Sequence, residues 1–180
     1  MKNILVLVDM QNGFSRYEQT QKLVERVEQL LRTKAFDCVV ATRFFNFDNS
    51  IYEKLFHWHR LKSEGDRALC RDFADYADEV FEKSVYTCVN SHFLQRICQL
   101  NDGVFPEKLF VAGADTDCCV LKIATDLFES NIRPVVLTHY CDSNGGPASH
   151  EAGILCMKRL IGEGQLCPDE ITCSADLNAL

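Results

Sequence analysis

Short apolar runs alternate along the chain with longer segments in which apolar residues recur at helical spacing. The clearest runs extend from Ile4 to Asp9, from Cys38 to Thr42, from Leu109 to Gly113 and from Pro134 to His139. Weaker candidates lie at Val80-Phe81 and near Ile171-Thr172. Runs this short, rich in Val and Leu and bounded by turn residues, are typical of strands that are buried on both faces. We therefore predict a strand at each of these positions.

Amphipathic segments separate the predicted strands. Apolar residues recur at helical spacing at Leu23, Val24, Val27, Leu30 and Leu31, and again at Leu94, Ile97 and Cys98 after a candidate cap at Asn90 or Ser91. Helices are also predicted from Cys119 to Glu129 and from Ala148 to Leu160. This alternation indicates an α/β fold, a parallel sheet covered by helices on both faces. No repeat or linker interrupts residues 1–180, so we predict a single domain.

The composition is that of an ordinary globular domain, with 180 residues of which 47% are hydrophobic and 25% charged. Asp and Glu number 26 against 19 Lys and Arg, which gives a net charge of −7, and no block of basic residues occurs. This balance argues against a nucleic-acid or membrane partner. No apolar run approaches the ~18 residues of a membrane span. The first residues lack the small-residue cleavage site of a signal peptide, so none is expected.

The ten cysteines do not have the pattern of a disulfide scaffold or a zinc ribbon. Disulfide-dense proteins are usually short and secreted, and this chain contains no C-x-x-C pair. Cys38, Cys98 and Cys156 lie among apolar residues and are interpreted as small core side chains. We therefore expect a cytoplasmic protein with reduced thiols.

Chemically useful residues follow three of the predicted strands, at the edge of the sheet where α/β proteins bind ligands. Asp9 closes the first strand, Lys83 follows the third, and Cys118-Cys119 opens the helix after the fourth. A cysteine at a helix N-terminus meets N–H groups that stabilise a thiolate and can hold an oxyanion. Taken singly, Asp9 is equally well a turn residue, Lys83 a solvated charge and the cysteines inert hydrophobic residues.

Taken together, three motifs in order resemble those of a known family. They are Asp9-Met10-Gln11-Asn12-Gly13-Phe14, Lys83 followed by Tyr86, and the segment from Gly113 to Val120 that contains Thr116-Asp117-Cys118-Cys119. The pattern resembles the isochorismatase-like cysteine hydrolases, which include nicotinamidases and related amidohydrolases, over about residues 3–161. The resemblance implies a Rossmann-like three-layer sandwich with a six-stranded, mainly parallel sheet of order 3-2-1-4-5-6.

The resemblance also implies a mechanism, hydrolysis of a C–N bond in a small amide, ureide or carbamoyl compound through a thioester. Cys119 would be the nucleophile, Asp9 the general base and acid, and Lys83 the supporting cation. Backbone N–H groups of Asp115 and Cys119 would hold the oxyanion, with a cis peptide at Ala114–Asp115. The motif places the nucleophile directly before Val120, so Cys118 occupies a variable position. We expect the neighbouring lysine and the helix dipole to bring the pKa of the thiol toward neutrality.

The metal site found in many nicotinamidases is not expected here. That site is built on an Asp-x-His pattern after the second strand, whereas the corresponding segment, Thr42 to Asp48, contains no histidine. His57 and His59 are two residues apart and point to different faces of a helix. We predict no metal and no cofactor.

The same segment suggests a substrate pocket. Phe14, Phe44, Phe45 and Tyr86 are candidates for its apolar walls, and Arg43 for pairing with a substrate carboxylate. Core packing of the Phe residues and a solvated Arg43 are equally compatible with the sequence. The turn from Asp142 to Pro147 either caps a helix or lines the pocket, and capping is the favoured interpretation.

Two other functions stay open. The chain is alternatively a catalytically silent member that binds a ligand or partner in the same cleft, or a redox-responsive protein that uses the adjacent thiols Cys118 and Cys119. Members of the family are commonly dimers or tetramers, so the resemblance also implies a homo-oligomer. The expected partner is a small-molecule substrate whose identity the sequence does not specify.

Overall fold

The computed structural model describes all residues, 1–180, and contains one six-stranded parallel sheet. The strands are β1 (Ile4–Val8), β2 (Cys38–Phe44), β3 (Glu79–Lys83), β4 (Lys108–Ala114), β5 (Arg133–Asp142) and β6 (Leu166–Cys167). Their order across the sheet is β3-β2-β1-β4-β5-β6. The predicted α/β class and the strand order 3-2-1-4-5-6 are confirmed.

Four long helices cover the sheet, and several short ones fill the connections. The α-helices are α1 (Glu18–Arg32), α2 (Ile51–Phe56), α3 (Glu64–Arg67), α4 (Phe73–Tyr76), α5 (Ser91–Leu100), α6 (Leu121–Glu129), α7 (Pro147–Leu160) and α8 (Ser174–Asn178). The four predicted helices correspond to α1, α5, α6 and α7. Asn90 is the cap of α5, because its side chain accepts a hydrogen bond of 3.0 Å from the N–H of Phe93.

The central strand β1 shows why the sheet is apolar on both faces. All five of its residues are buried. Leu5 and Leu7 pack in one core cluster together with apolar residues of α1, whereas Ile4, Val6 and Val8 pack in a second cluster with those of α5 and α6. Because side chains alternate along a strand, a strand between two helical layers must be apolar at every position. The three-layer sandwich follows from this pattern.

Gly113 allows the two strands nearest the site to approach each other closely. It is paired with Val8 and has a φ of +127°, and a Cβ atom there would lie 2.1 Å from the carbonyl oxygen of Val8. No other residue fits without moving β4 away from the end of β1. The end of β1 immediately precedes Asp9.

Three local predictions are wrong. The sixth strand is Leu166–Cys167 rather than Ile171-Thr172; Ile171 is buried, and its N–H donates to the hydroxyl of Tyr140 instead of a strand. The α-helix after β4 begins at Leu121, because a single π-helical turn, Thr116–Val120, precedes it. Cys156 is exposed on α7 rather than part of the core.

All ten cysteines are free thiols in the structure. None of the helices combines the length and the apolar character that crossing a bilayer requires.

Candidate active site

The carboxyl ends of β1, β3 and β4 bring together the three predicted chemical groups. Asp9 directly follows β1, Lys83 is the last residue of β3, and Cys119 lies in the π-helical turn after β4. Lys83 Nζ donates to Asp9 Oδ2 at 2.6 Å and lies 3.3 Å from Cys119 Sγ. The three residues are only 0%, 5% and 5% exposed. A carboxylate, an ammonium and a thiol therefore meet in a site from which water is largely excluded.

Asp9 is held in one orientation by Thr42 of the neighbouring strand. The Thr42 hydroxyl donates to Asp9 Oδ1 at 2.6 Å and accepts a hydrogen bond of 3.1 Å from the Asp9 N–H. Asp9 itself has a φ of +47°, which turns the chain out of the strand. Each carboxylate oxygen thus has its own donor, Thr42 for Oδ1 and Lys83 for Oδ2. Thr42 was not predicted from the sequence, because its position next to Asp9 depends on the pairing of β1 with β2.

Gln11 joins the loop after β1 to the end of β2. Its side-chain oxygen accepts from the N–H of Phe44 at 2.7 Å, and its Nε2 donates to the carbonyls of Phe44 at 2.9 Å and Arg67 at 2.8 Å. The buried Gln11 amide therefore makes the hydrogen bonds with the Phe44 backbone that a neighbouring strand would otherwise make. This explains why the motif that begins with Asp9 contains a glutamine two residues later.

The electrostatics of the site favour an ammonium beside a neutral thiol. Burial alone would lower the pKa of Lys83, but the charge of Asp9 and the contact with Cys119 outweigh it, so the pKa is raised. The Phe44 ring, with its centroid 5.2 Å from Nζ, adds a favourable contact with the cation. Burial, and after it the charge of Asp9, raises the pKa of the Cys119 thiol well above its usual value, while Lys83 lowers it.

The expected shift of the cysteine pKa toward neutrality is therefore wrong. One ammonium and one carboxylate already balance in the buried site, and a thiolate would add an uncompensated negative charge. Cys119 rests as a thiol and must give up its proton when it reacts.

The π-helical turn presents Cys119 beside a free backbone donor. The N–H groups of Cys118 and Val120 both donate to the carbonyl of Asp115 at 3.1 Å, which closes the turn. The peptide bond between Ala114 and Asp115 is cis, as the resemblance implied. The N–H of Asp115 donates to no acceptor of the protein. Thr116 is fixed from the side by His150, whose Nδ1 lies 2.8 Å from its hydroxyl oxygen.

A cavity of about 410 Å³ opens onto Cys119. Its lining residues are Gly13, Phe14, Tyr17, Phe44, Tyr52, Phe56, Trp58, Arg60, Tyr86, Asp115, Cys118, Cys119 and Asn144. The rings of Phe14 and Trp58 are nearly parallel with centroids 6.1 Å apart, and the ring of Phe44 meets that of Tyr52 edge to face at 5.2 Å. The cavity thus offers aromatic walls with a thiol, a carboxylate, an amide and a guanidinium among them. Small-molecule sites commonly combine such walls with a few polar groups.

The sequence pattern of the Isochorismatase domain matches residues 3–164 of the chain. The chain belongs to the isochorismatase family. None of the curated proteins compared with the chain matches it.

Solved structures similar to this isochorismatase-family chain confirm its fold. Nicotinamidase from Bacillus subtilis is 21% identical, with a TM-score of 0.75 over 93% of this chain and 99% of that one. Pyrazinamidase from Pyrococcus horikoshii, solved in complex with zinc, is 20% identical, with a TM-score of 0.76 over 95% and 100% of the two chains. N-carbamoylsarcosine amidase from Thermoplasma acidophilum is 21% identical, with a TM-score of 0.73 over 93% and 95%.

The side chains of this family member do not fit a metal ion at the segment after β2. Asn46 is already engaged, since its Nδ2 donates to the Trp58 carbonyl at 2.9 Å and its Oδ1 accepts from the Ser50 hydroxyl at 2.6 Å. His59 lies 3.1 Å from a Glu53 oxygen that is also paired with Lys62, so a cation already neutralises this carboxylate. No group of three or more His, Cys, Asp or Glu side chains anywhere in the chain is arranged to hold a metal ion.

The structure divides the predicted pocket residues into two groups. Phe14, Phe44 and Tyr86 line the cavity, whereas Arg43 and Phe45 do not, so their assignment to the pocket is wrong. Because side chains alternate along β2, Phe44 faces the cavity and its neighbours face away. Arg43 forms an ion pair with Glu82, and the guanidinium of Arg67 lies 5.3 Å from the centre of the Phe45 ring.

Some cavity residues were not predicted from the sequence. Arg60 comes from the connection between β2 and β3, where short helices leave little periodicity to interpret. Asn144 was assigned to a helix cap, but it lines the cavity and donates to Asp115 Oδ1 from its N–H at 3.0 Å and from its Nδ2 at 2.7 Å. Burial raises the pKa of the Asp115 carboxyl to about 6, against these hydrogen bonds, which lower it.

Proposed function

We propose that the chain is a cysteine hydrolase that cleaves a C–N bond of a small amide, ureide or carbamoyl compound through a thioester on Cys119. The observation that carries the proposal is the contact of one buried ammonium, that of Lys83, with Asp9 Oδ2 at 2.6 Å and with Cys119 Sγ at 3.3 Å. A nucleophile, a base and a fixed cation beside a cavity are what covalent catalysis requires. Two of the similar structures are named as a nicotinamidase and an N-carbamoylsarcosine amidase, which supports cleavage of a C–N bond.

In the first half of the reaction, Cys119 Sγ attacks the carbonyl carbon while its proton passes to the Asp9 carboxylate. A base is needed because burial raises the pKa of this thiol. The negative charge on the carbonyl oxygen is held by the N–H groups of Asp115 and Cys119, of which the first has no acceptor within the protein. Asp9 then gives its proton to the nitrogen, the C–N bond breaks, and ammonia or an amine leaves the thioester.

In the second half, water attacks the thioester carbon and gives a proton to Asp9. The tetrahedral intermediate collapses with cleavage of the C–S bond, and Asp9 returns the proton to Sγ. Lys83 is protonated in the resting site, since its pKa is raised by the charge of Asp9 and by Cys119. Its positive charge stabilises Asp9 while that residue is ionised and the sulfur whenever it carries negative charge.

The redox alternative receives less support than hydrolysis. Burial, together with the charges of Asp117 and Asp115, raises the pKa of the Cys118 thiol to about 11. Thiol oxidation and exchange proceed through the thiolate, so this environment slows both at neutral pH. Cys119 differs from Cys118 in its contact with the ammonium that is bonded to Asp9.

Ammonia release from a panel of primary amides and carbamoyl compounds tests the proposal, with Cys119→Ala and Cys118→Ala as a matched pair of variants. We expect Cys119→Ala to abolish turnover of any compound that the unmodified protein hydrolyses, and Cys118→Ala to retain most of it. Equal loss in the two variants, or turnover that survives Cys119→Ala, contradicts the assignment.

A further inference from the structure

Arg60 stands out among the residues of the cavity because its charge has no partner. It lines the cavity and is half-buried, yet its guanidinium forms neither an ion pair nor a hydrogen bond with any protein group. The other arginines close to this region are paired, Arg43 and Arg67 both with Glu82. Arg60 is therefore a cation that the fold places at the cavity without neutralising it.

The other two charged groups at the site neither neutralise Arg60 nor provide a second unpaired cation. Lys83 is neutralised by Asp9 at 2.6 Å. Asp115 also lines the cavity, but it accepts its hydrogen bonds from Asn144 and not from Arg60. A guanidinium presents donors in a planar fork that matches a carboxylate, and the match is strongest where water is partly excluded.

We propose that Arg60 binds a carboxylate of the substrate, so that the site takes amides or carbamoyl compounds that carry an acidic group away from the scissile bond. This inference rests on the proposed function for the position of the reacting end, which is Cys119. The aromatic side chains of Phe14, Phe44 and Trp58 line the same cavity and provide walls for an apolar part of the substrate. A cavity of about 410 Å³ is in the range of sites for small molecules.

The chain contains its own reporter for binding in this cavity. Trp58 is the single tryptophan of the sequence and lines the cavity together with Arg60. Its fluorescence in a Cys119→Ala background measures equilibrium binding without turnover. Two matched pairs of probes separate the carboxylate from the rest of the molecule, 4-carbamoylbenzoate against benzamide and succinamate against succinamide.

We expect at least one acid to bind about tenfold or more tightly than its neutral partner, since hydrogen bonds to charged groups contribute more than neutral ones. Arg60→Met should abolish this difference, and Arg60→Lys, which keeps the charge but not the fork, should retain part of it. Arg159→Met is the matched control, because Arg159 is exposed on α7 and does not line the cavity. This control should leave the preference unchanged.

Three results would overturn the inference: no binding by either acid, no preference over the neutral partner, or a preference that persists in Arg60→Met. Hydrolysis of the same four compounds by the protein with Cys119 intact separates this inference from the proposed function. If binding depends on Arg60 but no compound is hydrolysed, the result supports the carboxylate site and counts against the proposed hydrolase activity. Hydrolysis of acid and neutral compound with equal kcat/KM supports the enzyme and counts against the carboxylate site.

Discussion

Replacement of Asp9 by asparagine removes one charge from a buried pair and leaves the other. The side chains of Lys83 and Asp9 are 3% and 0% exposed, and their charged atoms are 2.6 Å apart. Breaking a buried pair from one side costs about 3–5 kcal/mol, because the remaining charge is left without compensation. The ammonium retains the Val85 carbonyl at 3.2 Å and the Cys119 sulfur at 3.3 Å. We therefore expect the free energy of unfolding to fall by about 3 kcal/mol, the lower end of this range.

Unfolding in urea, followed by Trp58 fluorescence and far-UV circular dichroism, measures this loss. The double variant Asp9→Asn/Lys83→Met removes both charges and should recover most of the stability, since a pair replaced as a whole leaves no unpaired ion. Both variants should lose activity, by about 10²- to 10⁴-fold for the loss of a general acid and base. Stability alone therefore distinguishes the two.

The pH dependence of stability tests the same ion pair, because the pair determines whether stability rises or falls with pH. In the unmodified protein the folded pKa of Lys83 is raised above the ordinary 10.5, so the pair contributes fully below that pH and its contribution is lost as the pH rises through the folded pKa. Without the charge of Asp9, burial lowers the pKa of the Lys83 ammonium, so the stability of Asp9→Asn relative to the unmodified protein should increase between pH 7 and 10. If Asp9→Asn is as stable as the unmodified protein, and the difference between them does not change over this interval, the buried pair does not have the energetic role assigned to it.

Two further predictions concern groups around the pair. Thr42→Val leaves the N–H and one oxygen of Asp9 without their partner. It should cost about 1–3 kcal/mol of stability and lower kcat more than it changes KM. Thr42→Ser should restore both stability and kcat, and loss of kcat in the serine variant would contradict the positioning role. The folded pKa of Asp115, about 6, lies above its usual value of 3.8, so this carboxyl destabilises the fold as the pH rises through that interval and remains unfavourable above it. Asp115→Asn should therefore raise the free energy of unfolding at pH 7 by about 2–3 kcal/mol in urea titrations. Its gain over the unmodified protein should grow between pH 4 and 6; a variant that is no more stable at pH 7 would contradict this.

The residues that the structure brings together as the sequence predicted are those at the ends of strands. Asp9, Lys83 and Cys119 follow apolar runs whose length and composition identify buried strands, and parallel strands bring such ends to one edge of the sheet. The order of the strands came from the family resemblance rather than from periodicity. A two-residue strand such as Leu166–Cys167 is too short for any periodicity to identify.

The cavity was predicted less well, for physical reasons that differ between residues. Arg43 and Phe44 are adjacent on β2, and which of them faces the cavity depends on a register that local sequence does not specify. Trp58 and Arg60 reach the cavity through tertiary packing of a connection with only short helices.

The pKa of Cys119 was predicted with the wrong sign. The motif reveals the position of Cys119 at the start of a helix, but neither the burial of its thiol nor the nearby charge of Asp9, and these two causes raise its pKa more than Lys83 lowers it.

Covalent trapping tests whether Cys119 forms the proposed thioester. The protein is mixed with an amide that it hydrolyses, quenched in acid within a single turnover and digested, and peptides that contain the adjacent cysteines are sequenced by mass spectrometry. We expect an acyl group on Cys119, which disappears in Cys119→Ala and in samples left to complete turnover. An acyl group on Cys118, or sustained hydrolysis with Cys119 unmodified at every time point, would contradict it.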